Sequence, residues 1–121
     1  MAALSMATVE AVARFGDRRA DTALWFAAVN RAALADAGRV VAAMLPGGRR
    51  EGREYVVRNP RRGDRSPGSF KVNLATGRWA DFASGERGGD LVSLSAYLAG
   101  CSQSEAAARL GEALGVGKGS K

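Results

Sequence analysis

Between Asn59 and Asp90 the chain reads NPRRGDRSPGSFKVNLATGRWADFASGERGGD, and the spacing of its apolar residues dictates much of the fold. Phe70, Val72 and Leu74 alternate with Lys71 and Asn73, the period of a half-buried strand. Ala75-Thr76-Gly77 is a three-residue hairpin connection with glycine where a left-handed conformation is wanted. Arg78 to Phe82 then returns as the partner strand. Upstream, Glu54 to Arg58 alternates with Tyr55 and Val57 on one face. Pro60 cannot donate to a ladder, so it turns the chain into a basic loop, Arg61 to Gly68. Downstream, a glycine-rich link from Ser84 to Gly89 leads to Asp90, whose carboxylate can accept from the first free amides of a helix. The order implies an α+β fold: a small antiparallel sheet of about three strands, with helices before and after it.

The flanks read as helical. Thr8 to Phe15 is a short helix that Gly16 is expected to end. Asp21 can cap a second, carrying Leu24, Trp25 and Phe26. Leu34, Ala37, Val41 and Met44 recur at helical spacing from about Asn30 to Met44, and the pattern leaves open whether Asn30 interrupts one long helix or starts a new one. Pro46-Gly47-Gly48 stops any helix and marks the clearest change in composition, alanine-rich before and arginine- and glycine-rich after. After Asp90, Leu91, Leu94 and Leu98 form a stripe closed by Gly100. Ser102-Gln103-Ser104-Glu105 is a capping box opening a last helix, with Ala106, Leu110, Ala113 and Leu114 expected to be buried. The expected organisation is a helical region at 1–47, a ribbon domain at 48–116 and a disordered tail at 117–121. With few aromatics available, Trp25, Phe26, Tyr55, Phe70, Trp79, Phe82 and Tyr97 are expected to anchor the core.

The formal charge is +6, and its location matters more than its size. From Pro46 to Arg78 there are nine basic residues (Arg49, Arg50, Arg53, Arg58, Arg61, Arg62, Arg65, Lys71 and Arg78) against three acids (Glu51, Glu54 and Asp64). The rest of the chain is neutral. An arginine-rich patch confined to one segment is the electrostatic footprint of a phosphate-binding surface; the plainer alternative is a solvated basic face.

This frame resembles the zinc-ribbon domain of bacterial-type DNA primases, which contacts the single-stranded template. The resemblance rests on Ser66-Pro67-Gly68-Ser69-Phe70, Trp79, Phe82, Gly88-Gly89-Asp90 and the two following helices with Gly100-Cys101-Ser102 and Glu105-Ala106. It spans Arg53 to Val116, about half the chain. The family carries a Cys-x-x-His pair before the hairpin and a Cys-x-x-Cys pair after it. Here those positions fall on Asn59 and Arg62, and on Asp81 and Ser84. The chain is most similar to the ligand-poor versions found in plasmid and phage primases or primase–helicases, which implies a ribbon that folds without zinc. Packing of Trp79 and Phe82 under the C-terminal helices, and a contact between Asp81 and Arg62, are candidates to replace the metal. In the alternative, both polar side chains point to water.

The resemblance implies a nucleic-acid-binding module, with single-stranded DNA as the expected partner and a separate primase catalytic subunit or helicase beside it. Candidate phosphate contacts are Arg58, Arg61, Arg62, Arg65, Lys71, Arg78 and Arg87. Trp79 is either a base-stacking ring or plain core. A competing reading is a protein-interaction module that docks on a helicase or replication initiator through the N-terminal helices. Catalysis has little to stand on. The chain contains no histidine, its one cysteine, Cys101, has no histidine partner, and the acids are scattered. No cofactor or metal is expected. A lone cysteine excludes an intrachain disulfide and suits a reducing cytosol. No segment approaches the ~20 apolar residues of a membrane span, and a cytoplasmic location is expected.

Overall fold

A computed structural model of the chain describes residues 6–61 and 69–117, with side chains inside the first helix described from residue 21 onward. Among the described residues four helices and five strands follow one another as α1 (Met6–Ala35), α2 (Ala37–Met44), β1 (Arg49–Glu51), β2 (Glu54–Val57), β3 (Phe70–Asn73), β4 (Trp79–Asp81), β5 (Arg87–Gly88), α3 (Leu91–Ala99) and α4 (Gln103–Leu114). The fold class is α+β as expected. The sheet is larger than expected, with five antiparallel strands in the order β1-β2-β3-β4-β5 where about three were inferred. Both additional strands lie at the edges. β1 is Arg-Arg-Glu, fully exposed, and folds back on β2 with Arg50 opposite Tyr55. β5 is two residues long and pairs with β4, Trp79 opposite Gly88.

The N-terminal helices also differ from expectation. Gly16 does not end a helix; α1 runs through it and through Asn30 to Ala35. One glycine costs about 1 kcal/mol relative to alanine, too little to stop a helix held at other points. The break falls at Asp36, whose N–H reaches back three residues to the Ala33 carbonyl at 3.2 Å.

Alternation along the strands divides the sheet into two faces. Tyr55, Val57, Phe70, Val72 and Trp79 point inward and pack against Ala37, Val40, Val41 and Leu45 from α2 and its end, Ala33 from α1, and Leu91 and Leu94 from α3. Residues on both sides of Pro46 therefore share one core. A second cluster, Trp25, Val29, Val92, Ala96, Ala106 and Ala107, joins α1 to α3 and α4. Asn30 links these layers through its side-chain oxygen, which accepts from the Val92 N–H at 2.9 Å and so satisfies a free amide in the first turn of α3.

The turn and cap chemistry follows the residues that specified it. Gly77 has φ +82° in the β3–β4 connection, and the Asn73 side chain accepts from the Ala75 and Thr76 amides there. Asp90 and Ser102 both form capping boxes, and Gly100 and Gly115 close α3 and α4. In α4 the buried positions are Ala106, Ala107 and Gly111; Ala113 is exposed, against expectation.

Candidate nucleic-acid interface

The outward-facing positions of the sheet form the candidate site. Lys71 lies opposite Ala80, and Ala80 opposite Arg87, so the three occupy one row across β3, β4 and β5. Phe82 follows two residues after Ala80 and shares its side of the strand. Its N–H donates to the Ser69 carbonyl at 2.8 Å, which fixes the backbone, while the side chain is 71% exposed. The ammonium of Lys71 sits 6.0 Å from the ring centroid and 3.8 Å from the Glu54 carboxylate. Glu54, Lys71, Arg78, Phe82 and Arg87 surround an open cavity of about 270 Å³ on this face. Three cations against one acid give it a positive field around an uncovered aromatic ring.

Both hairpin aromatics are expected in the core, and the structure buries one of them. Phe82 is not core. Trp79 is: it is 5% exposed, its ring stacks on Phe70 at 5.9 Å with an interplanar angle of 13°, and it meets Tyr97 at 4.9 Å. Its indole Nε1 donates to Ser93 Oγ at 2.9 Å. Gly88 makes that bond possible, because a side chain there would run into both the indole nitrogen and the serine oxygen.

The remaining candidates disperse. Arg58 is exposed at the end of β2 and does not line the cavity. Arg61 lies on the other side of the hairpin, its guanidinium 5.0 Å over the Tyr97 ring and its Nη1 donating to the Tyr97 carbonyl at 2.9 Å. Arg62 and Arg65 fall outside the described residues, as does the Ser66–Gly68 part of the resemblance. Comparison with protein-family models and with curated proteins gives no match.

At the positions where the resemblance expects metal ligands, Asn59 and Asp81 touch. Both are fully buried, and Asn59 Nδ2 donates to Asp81 Oδ2 at 2.6 Å. The same amide nitrogen donates to the Tyr97 hydroxyl at 2.9 Å, which brings α3 into the cluster. Asn59 Oδ1 accepts from the Arg61 N–H at 2.9 Å, and Asp81 Oδ1 from the Ala83 N–H at 3.0 Å. The expected partner of Asp81, Arg62, lies outside the described residues. Ser84 is exposed, and its hydroxyl accepts from the Glu86 N–H at 3.3 Å within its own turn.

These residues do not fit zinc. A structural site needs four thiolate, imidazole or carboxylate donors, whereas Asn59 presents its amide N–H to the Asp81 carboxylate. Among the described residues no group of three or more His, Cys, Asp or Glu side chains could hold a metal ion. The polar pair does not match a metal energetically. A hydrogen bond to a charged group contributes about 1.5–3 kcal/mol net, against about 10–16 kcal/mol for zinc in a small finger. The inner face is closed by packing, through the Phe70–Trp79–Tyr97 aromatic group and the helices α1 and α2 that cover it.

Among the described residues no helix is long and apolar enough to cross a membrane.

Proposed function

We propose that this chain is a nucleic-acid-binding module that holds single-stranded DNA, as the template-recognition part of a plasmid- or phage-type primase system acting in the cytosol. The observation that carries the reading is the outer sheet face, where Lys71, Arg78 and Arg87 surround the exposed Phe82. Cations that track a backbone and a ring that accepts any base are the two components of sequence-tolerant single-strand binding. The spatial meeting of Asn59 and Asp81, 22 residues apart in the chain, also supports it, since ligand positions of a ribbon must converge in space. The role is recognition beside a catalytic subunit or helicase on another chain. Phe82 replaces Trp79 as the stacking residue.

A titration of labelled single strand at several salt concentrations tests this. Each phosphate contact should contribute about −0.7 to the slope of log affinity against log salt. Replacing Lys71 and Arg78 together by alanine should make the slope shallower by on the order of 1 to 1.5. Absence of binding at low salt would favour the competing role, docking on a helicase or initiator through the N-terminal helices. The exposure of Leu24, 66% on α1, is the observation on that side.

A further inference from the structure

The cavity on the sheet face has a neighbour across the edge strand. Arg87 and Trp79, which line it, also line a wider groove of about 600 Å³ on the other side of β5. The opposite wall of that groove comes from the end of α3 and the start of α4, with Tyr97, Gly100, Ser102 and Gln103. Arg61 stands at this wall, held by its contacts to the Tyr97 ring and carbonyl. A guanidinium has five N–H donors, and one fixed in place loses little further freedom on meeting a phosphate. The acid among the lining residues is Glu86. β5 is only two residues long and is paired on one side, to β4, so it forms a low edge between the two cavities.

Resting on the single-strand reading of the sheet face, we infer that the bound strand crosses β5 at Arg87 and runs down this groove to Arg61, making one track with two unlike subsites. The first stacks a base on Phe82. The second offers no open ring, because Arg61 covers Tyr97, and it holds backbone phosphates between Arg61 and Arg87. Glu86 works against the second subsite and limits its affinity.

Oligomer length separates the subsites. Labelled oligothymidylates of about 4 and about 12 nucleotides sample the short and long parts of the range, about 4–16 nucleotides, that one small single-strand-binding fold covers. Arg61→Ala should weaken the longer by on the order of tenfold at low salt, the scale of one charge-assisted hydrogen bond, and leave the shorter unchanged. Its backbone bond to Asn59 survives the substitution. Gln103→Glu provides a second variant that keeps the fold, since an acid in the first turn of a helix is favourable there; it too should weaken only the longer strand. Glu86→Gln should tighten only the longer, and Arg87→Ala should weaken both. If Arg61→Ala and Gln103→Glu leave both lengths unchanged, or weaken both equally, the track is wrong while the sheet-face site stands. If the wild-type protein binds neither length, both readings fall.

Discussion

Trp79 opens β4 and Phe82 directly follows its end, three residues on, yet the two have opposite surroundings. The indole is enclosed by Phe70, Tyr97 and Ser93, whereas the phenyl ring has solvent over most of its surface. An odd separation on a strand places two side chains on opposite faces. The inner face supplies cohesion and the outer face supplies a surface. A ring left exposed among Lys71, Arg78 and Arg87 adds little to folding, and under the proposed function its value lies in what it meets outside the molecule.

The largest expected effect tests the inner face. Trp79→Ala should destabilise the fold by about 3–5 kcal/mol, read from denaturant melts, because it empties the centre of the aromatic group. A melt that barely moves would abolish the distinction between the faces. Next comes the polar cluster at the end of the sheet. Asn59→Ala leaves the Asp81 carboxylate buried without its amide donor and should cost about 1–3 kcal/mol. Dialysis against a chelator should leave the wild-type melt unchanged; a large drop would mean that a metal shares this position. The outer face gives the smallest effect on stability. Phe82→Ala should shift the melt by no more than about 0.5 kcal/mol, as surface substitutions do, yet weaken single-strand binding by about 1–3 kcal/mol. A variant that unfolds, or binds as before, would return Phe82 to a structural role.

Much of the centre of this fold was legible in the sequence. Phe70, Val72 and Leu74 gave β3 by their period, Gly77 gave the turn, and Asp90 and Ser102 gave the starts of two helices, because each signal is local. The edge strands carry no such signal. Arg49-Arg50-Glu51 has no apolar residue, and it becomes a strand only by pairing with β2. Arg87-Gly88 is recruited by the ladder of β4 and by the need for a residue without a side chain beside the indole. For the site, the basic residues were recognisable one by one, but the sheet decides which share a face: Lys71, Arg78 and Arg87 do, and Arg61 belongs to another groove. The exposure of Phe82 could have been read from the alternation that buried Trp79; counting aromatics as core overrode it. The Asn59–Asp81 contact had no local sign, since it depends on two strand ends meeting.

Asn30 caps α3 from 62 residues away, and the Trp25 indole reaches the Val116 carbonyl, 91 residues on, at 3.5 Å. During synthesis, therefore, the first helix emerges long before the groups that complete it. Until the chain near Val116 has left the ribosome, Trp25 and Val29 lack their partners in α4, and the nascent chain carries an uncovered apolar stripe over the whole of that interval.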